Sequence, residues 1–230
     1  MEVNNEKSSN QKGSKKKGRT SKETIRIARH EAAHFVIGWA VTCFWPRVDI
    51  RPSRRRQCRH NPTRNILGET FADGESPFQK VLIELAGPVA DNWGKENAEI
   101  LDAEKPDIDR ALESIKEGYS LHSDDGDWDD IFRQLIQQGF DETRPTQSHN
   151  ALFVFIDTVK EILKLCEAQW KELADYLIEH GWIDPNLPYD KDNDWRFLTL
   201  WEDEEGQPPK VVRDCVEKCR LAVDALPKAK

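Results

Sequence analysis

Apolar residues recur at helical spacing in the first apolar stretch of the chain. The pattern begins near Thr20 or Ser21 and stops before Pro46, a residue that cannot continue a helix. Side chains three and four positions apart share one helix face, so this spacing predicts a helix with one buried side. Its apolar positions are Ile25, Ala28, Ala32, Phe35, Val36 and Trp39.

Five more helices are predicted from the same period and from local start signals. Ser76 and Pro77 open one of them, because serine caps a first turn and proline is favoured at the first helical position. This helix should kink at Gly87-Pro88. The others are predicted over 108–115, from 131 onward, over 148–180 with Gly181 as the stop, and over 211–225.

Two short segments predict strands. Residues 48–51 alternate apolar and polar side chains, and residues 66–70 form a second short run that contains Gly68. The sequence therefore predicts a mainly α fold with a small β-hairpin, an α+β arrangement beside the first helix. Residues 183–207 are rich in Pro, Asp and Trp, which predicts a loop.

Charge and composition divide the chain into three parts. Residues 1–22 hold seven Lys or Arg against two Glu, which predicts a disordered basic tail of charge +5. Because the whole chain carries −8, the remainder carries −13. A globular domain is predicted over 23–182, followed by an extension over 183–230. The large apolar side chains of the extension should pack on the core or form a partner surface.

Neither a secretory signal nor a membrane span is predicted. The longest apolar run covers residues 35–45 and is too short to cross a bilayer. The five cysteines are an odd number, which favours free thiols and a cytoplasmic location. Cys215 and Cys219 stand four apart, where they can share a metal or lie on the apolar face of a helix, and the second is favoured.

The strongest chemical signal is an HExxH motif, the run His30-Glu31-Ala32-Ala33-His34. On a helix the two histidines share a face and can reach one metal ion, with Glu31 beside it. Zinc lowers the pKa of a bound water, and a nearby carboxylate can take its proton. The motif predicts Zn²⁺ at His30 and His34 and hydrolysis with Glu31 as general base. The competing interpretation is a chance pair of histidines on a buried helix.

A catalytic zinc usually has a third protein ligand, for which several residues qualify. Ile37 and Ala40 stand where metzincins carry Gly and a third His, which excludes that class. Glu84 is acidic, but its apolar neighbours favour a core helix. An acidic cluster remains, although acidic residues also gather at the N-terminus of an ordinary helix. Its members are Asp124, Asp125, Asp127, Asp129 and Asp130.

Four segments, in order, resemble the peptidase domain of the FtsH-type ATP-dependent zinc metallopeptidases. The resemblance covers residues 24–180. The segments are Ala28-Arg29-His30-Glu31-Ala32-Ala33-His34, a hairpin with Val48-Asp49-Ile50-Arg51-Pro52 and Leu67-Gly68-Glu69-Thr70, a helix with Leu85-Ala86-Gly87-Pro88-Val89-Ala90-Asp91, and Asp127-Trp128-Asp129-Asp130-Ile131.

The chain also departs from this family. Ala33, Pro88, Gly126 and Ile131 stand where the family has Gly, Arg, Asn and Ala. The chain has no G-x-x-x-x-G-K-[ST] phosphate-binding loop and no predicted membrane helix, whereas the family carries an ATPase module and an anchor. It therefore resembles a free-standing peptidase domain.

The resemblance implies that Asp127 is the third zinc ligand, with Asp124 and Asp125 still open. Asp91 is a candidate acceptor for a ligand histidine, and a core or surface acid is the competing interpretation. Gly68 and Glu69 are candidate substrate-binding residues, because a peptide can add a strand to a sheet edge. An ordinary paired strand is the alternative there.

The implied activity is that of a zinc endopeptidase acting on peptides or unfolded protein segments. A separate ATPase or regulatory partner and a homo-oligomer both stay open, and no membrane partner is expected. One alternative is a non-catalytic regulator that binds a partner through Trp182, Trp195 and Trp201, but such a regulator has no need of Glu31. The other alternative is nucleic-acid binding by the basic tail. The −13 charge on the rest of the chain argues against it.

Overall fold

The computed structural model describes residues 21–42, 46–50, 69–71, 76–116, 126–140, 145–183 and 208–226. The predicted mainly α fold with a small antiparallel sheet is confirmed within these ranges. The elements in chain order are α1 Lys22–Thr42, β1 Arg47–Asp49, β2 Glu69–Phe71, α2 Pro77–Asp91, α3 Asn97–Lys116, α4 Asp127–Gln137, α5 Pro145–Leu165, α6 Glu167–His180, β3 Trp182–Ile183 and α7 Lys210–Asp224.

Helix α1 forms the centre of the structure. Ser21 directly precedes it, and the Ser21 hydroxyl caps the first turn by accepting a hydrogen bond from the Thr24 backbone amide at 3.0 Å. From Glu31 to Val41 every residue is buried, because α2, α5, α6, α7 and the sheet all contact this helix. A helix that is enclosed on all sides needs apolar residues on every face, and the HExxH motif lies where α1 enters this enclosure.

The sheet has three antiparallel strands in the order β2-β1-β3. Val48 of β1 is fully buried, and it lies opposite Thr70 of β2 on one side and Ile183 of β3 on the other. Strand β3 was not predicted, because two residues are too few to show an alternating pattern. The predicted division after residue 182 falls inside this strand.

Helices α2 and α4 pack against each other on one side of α1. Ser76 and Gln79 form the capping box of α2: the Ser76 hydroxyl accepts from the Gln79 amide at 3.3 Å, and the Gln79 side chain accepts from the Ser76 amide at 2.7 Å. The helix then continues through Pro88 to Asp91. Helix α4 contacts both α2 and α3, and it begins four residues earlier than its apolar pattern predicted.

Two helix predictions are wrong in extent. Helix α3 covers Asn97–Lys116 instead of 108–115. It buries only three residues, so its apolar period is sparse, and Pro106 lies inside it. The single helix predicted over 148–180 is instead the pair α5 and α6, interrupted at Cys166. The apolar period runs unbroken across this one residue, so the interruption is not visible in the sequence.

Helix α7 packs on α5 and also contacts α1 and α2. Its buried face consists of Val212, Cys215, Cys219 and Val223, so the two cysteines lie on the apolar side of the helix. Trp195 and Trp201 of the extension and residues 1–20 of the predicted tail lie outside the described residues. Among the described helices, none combines the length and the apolar character that crossing a membrane requires.

Candidate metal centre

The two histidines of the HExxH motif point their Nε2 atoms at the same place. They lie one turn apart on α1, and the distance from His30 Nε2 to His34 Nε2 is 3.2 Å. Their rings are edge to face, with centroids 4.8 Å apart. This is the arrangement that an i, i+4 spacing on a helix allows.

The first residue of α4 supplies a carboxylate to the same place. Asp127 Oδ2 lies 3.3 Å from His30 Nε2 and 3.7 Å from His34 Nε2. Gly126, directly before it, has φ 134° and ψ 165°, a backbone conformation that is open essentially only to glycine. Glycine therefore allows the backbone conformation from which α4 begins at Asp127.

The three ligand atoms have the spacing of a tetrahedral metal site. Zinc bonds of about 2.0–2.1 Å at tetrahedral angles place two ligand atoms about 3.3 Å apart. The three observed separations are 3.2, 3.3 and 3.7 Å. Among the described residues, His30, His34 and Asp127 form a group that could hold a metal ion. Two imidazoles and one carboxylate also leave a fourth position open.

Hydrogen bonds at the far nitrogens orient both rings. His34 Nδ1 lies 2.6 Å from the Ile83 carbonyl oxygen. Because a carbonyl can only accept, this Nδ1 carries the hydrogen and the Nε2 lone pair is left for a metal. His30 Nδ1 lies 3.1 Å from Asp91 Oδ2, which also pairs with Arg26. The structure therefore places Asp91 behind a ligand histidine, in the position expected of a residue that orients it.

Gly87 of α2 makes room for the ligand atoms. A Cβ atom at this position would lie 2.3 Å from His30 Nε2 and 2.4 Å from His34 Nε2, too close for any side chain. The helix backbone therefore passes directly beside the point where the three ligands converge. A glycine here, together with nitrogen and oxygen donors at tetrahedral spacing, fits the zinc ion that the motif predicts.

Glu31 lies on α1 beside the convergent ligands and has a partner on the sheet. The residue is buried, with a relative exposure of 6%. The Thr70 hydroxyl donates a hydrogen bond to Glu31 Oε2 at 2.7 Å. A buried, hydrogen-bonded carboxylate next to a metal group is suited to accept and release a proton.

The charges of the three candidate ligands depend on one another. Burial lowers the pKa of His30, but hydrogen bonds to Asp127 and Asp91 outweigh it and hold the pKa well above 6.5. The pKa of His34 is raised as well, because the Asp127 charge outweighs burial. Burial raises the pKa of Asp127, but the two imidazoles outweigh burial and hold it below its ordinary value. A metal ion would replace the protons that these imidazoles hold.

Of the remaining candidates, Glu84 is nearby but outside the ligand group. Burial raises the pKa of Glu84 to about 8. The charge of His34 lowers this pKa in part, and the charge of Asp127 raises it. The group of convergent ligand atoms does not include it. Glu69 pairs with Asp49 in the sheet, while Gly68, Asp124 and Asp125 lie outside the described residues.

Sequence reasoning missed three contributors to the site. The Ile83 carbonyl leaves no trace in a pattern of side chains. Thr70 contacts Glu31 across 39 positions, a separation that no local spacing reveals. Gly87 was noticed only as a place for a kink, although a small residue inside an apolar helix is also a signal of close approach.

The chain matches no protein-family model, no curated protein and no solved structure. What the site can do therefore follows from its own side chains. Two oriented imidazoles and a carboxylate can bind a divalent metal ion, and a glutamate beside them can exchange a proton.

Proposed function

We propose that this protein is a zinc-dependent endopeptidase that hydrolyses peptides or unfolded protein segments. The observation that carries the proposal is the convergence of His30 Nε2, His34 Nε2 and Asp127 Oδ2, with separations of 3.2, 3.3 and 3.7 Å, beside the buried Glu31. The resemblance to the FtsH-type peptidase domain supports the same proposal from the sequence.

Zinc is the metal that suits these ligands. Imidazole nitrogens with one carboxylate are a common zinc donor set, and the spacing is tetrahedral. When bound, a zinc ion would supply an acidified water as the nucleophile and polarise the scissile carbonyl. The protein's own contribution is to fix the ligand rings through Asp91 and the Ile83 carbonyl.

Glu31 is proposed as the general base. Its carboxylate takes the proton of the attacking water and gives it to the amine that leaves when the peptide C–N bond breaks. Because Glu31 is buried and held by Thr70, its carboxylate stays in one position through both transfers.

Strand β2 is the proposed substrate cradle. It is one of the two edge strands of the described sheet, and it adjoins α1 through the hydrogen bond from Thr70 to Glu31. An extended peptide can pair with such an edge through backbone hydrogen bonds, with Gly68 and Glu69 as the contact residues. Substrates that are already unfolded fit this mode, because most backbone groups of a folded chain are already paired within that chain.

The test combines metal analysis with a digest. Purified protein should contain one zinc per chain and should cleave casein or an internally quenched peptide. Glu31→Gln should keep zinc and fold and lose hydrolysis, because amide nitrogen and oxygen cannot act as the base. Cleavage by the Gln variant at the wild-type rate would contradict the proposal. Stoichiometric zinc with no hydrolysis in the wild type would favour the non-catalytic regulator instead.

A further inference from the structure

The Thr70 hydroxyl connects the sheet to the proposed base. Thr70 Oγ1 lies 2.7 Å from Glu31 Oε2 and 3.2 Å from the Glu31 backbone carbonyl oxygen. Both of these atoms are acceptors, and one hydroxyl carries one proton. The shorter distance is typical of a strong O–H···O bond, so the proton goes to the carboxylate.

The backbone of Thr70 is well anchored. It is the central residue of β2 and pairs with Val48 of β1, which is fully buried. Strand β1 is in turn held by β3 and by a hydrogen bond from the Ile50 amide to the Gly181 carbonyl at 2.8 Å. Threonine is also stiff at χ1, because it branches at Cβ. The position of the Thr70 hydroxyl is therefore restricted by the sheet and by the stiff χ1 angle.

A fixed hydrogen-bond partner restricts the flexible side chain of Glu31. A glutamate side chain has three rotatable bonds, and a base must stay within hydrogen-bond reach of the proton that it takes. Binding of the Thr70 hydroxyl to Oε2 selects one rotamer and leaves Oε1 available for the proton. Because the carboxylate is buried, a competing water molecule has little access to it.

From these contacts we infer that Thr70 is a positioning residue for catalysis, which holds the Glu31 carboxylate in the orientation that the reaction needs. The inference rests on the proposed peptidase function. It adds a second role for β2, the proposed substrate cradle: the same strand would receive the substrate and orient the base. Thr70 therefore acts through Glu31, whose Oε2 accepts its hydrogen bond.

The test uses two substitutions at one position in the full zinc-loaded chain. Thr70→Val keeps the shape and removes the hydroxyl, whereas Thr70→Ser keeps the hydroxyl. On an internally quenched peptide, Thr70→Val should lower kcat by roughly tenfold or more with KM little changed, because only base positioning is lost. Thr70→Ser should recover most of kcat. Zinc content should equal that of the wild type in both variants.

A matched control lies on α1 itself. The Thr42 hydroxyl donates to the Gly38 carbonyl at 2.7 Å, two turns beyond the motif, so Thr42→Val removes a similar bond away from the site. This variant should keep the wild-type kcat. A Thr70→Val enzyme with wild-type kcat, or a Thr70→Ser enzyme as impaired as Thr70→Val, would overturn the inference.

A second readout needs neither metal nor activity. In a double-mutant cycle of Thr70→Val and Glu31→Leu, followed by urea unfolding of the metal-free chain, the two changes should be coupled by about tenfold in the unfolding equilibrium constant. Independent effects would overturn the contact. If the zinc-loaded wild type hydrolyses nothing, the proposed function and the catalytic role of Thr70 both fail, and a coupled cycle would then leave the bond a structural role only.

Discussion

Because Gly87 has no side chain, the three candidate ligands can converge next to a helix backbone. Any Cβ at this position would come within 2.4 Å of ring atoms of both His30 and His34. Such a contact cannot be relieved by rotating the rings, because each ring is tied at its Nδ1 atom. The absence of a side chain is therefore required for the two imidazoles to lie as they do beside α2.

Gly87→Ala should abolish zinc binding while the helix stays intact. Alanine is the better helix former by about 1 kcal/mol, so the variant should not lose helicity for intrinsic reasons. Zinc per chain after dialysis and the far-ultraviolet circular dichroism spectrum check the two halves of this prediction.

Gly94→Ala is the control for this prediction. A Cβ there meets nothing within 4 Å, but the residue has φ 88°, which strains an alanine. The control should lose some stability and keep zinc, which is the opposite pattern. Full zinc binding by Gly87→Ala would show that the described geometry of the group is wrong.

The ion pair between His30 and Asp91 predicts how stability depends on pH. In the folded chain the pKa of His30 lies well above 6.5. Burial lowers this pKa, but the interactions with Asp127 and Asp91 outweigh burial. A raised histidine pKa stabilises the fold fully below the unfolded value, and this contribution disappears as the pH rises through the folded value. Asp91→Asn removes one source of the raised pKa.

In the metal-free chain, Asp91→Asn should therefore reduce the free energy of unfolding more at about pH 6 than at about pH 9. Urea unfolding of both proteins at the two pH values measures this difference. Zinc should act in the opposite direction and stabilise more as the pH rises, because it binds the unprotonated rings. A loss that is equal at both pH values would contradict the assigned pairing.

At the scale of elements, α3 braces the two helices that bring the carboxylates to the site. Glu104 of α3 accepts from the Asn92 side-chain amide at 2.7 Å and from the Trp128 indole at 3.1 Å. Asn92 directly follows Asp91, and Trp128 directly follows Asp127. Burial raises the pKa of Glu104, and these two hydrogen bonds lower it again in part. One carboxylate thus connects α3 to the neighbours of both site aspartates.

Glu104→Ala should weaken zinc binding by several-fold to about tenfold, because Asp91 and Asp127 lose support. It should also lower the free energy of unfolding by about 1–3 kcal/mol, since two buried donors lose their acceptor. Competition with a chromophoric chelator gives the affinity, and urea unfolding gives the stability. Asp109→Ala is the matched control, because Asp109 is an exposed residue of the same helix that pairs with the likewise exposed Lys105. Equal effects of the two variants would rule out a brace.

The elements also show how far sequence reasoning reaches. Helices with a dense apolar period, such as α1 and α2, could be predicted, α2 together with its Ser76 cap, because the signals are local. The extent of α3 and the interruption at Cys166 could not, because tertiary packing decides them. The ligand histidines share one helix and were visible as a motif. Thr70 and Gly87 act across long separations and become visible only when the elements are packed.

At the scale of the whole molecule, the metal group lies at the meeting point of the helices around α1. The C-terminal helix α7 closes this arrangement by packing on α5 and touching α1 and α2. It does so through one face, since Val212 has 0% of its surface exposed whereas the next-door Val211 has 41%. Residues near the C-terminus are therefore part of the enclosure of the central helix.

The two adjacent valines allow a test of this enclosure in which the chemistry of the substitution is constant. Val212→Ala removes two methyl groups from the core and should lower the free energy of unfolding by about 1.5–3 kcal/mol, from lost burial and the cavity left behind. Val211→Ala removes the same groups from the surface. It should change stability by less than about 0.5 kcal/mol, since alanine is the better helix former.

Urea unfolding of the two variants should be measured for both the zinc-loaded and the zinc-free chain. This comparison separates the packing of α7 on the core from metal binding. If α7 is held to the core, the Val212 variant should be the weaker in both states, with zinc stoichiometry unchanged, because no α7 residue belongs to the ligand group. Equal stability of the two variants would mean that α7 does not pack as described, and the C-terminal helix would then be free to serve as a partner surface.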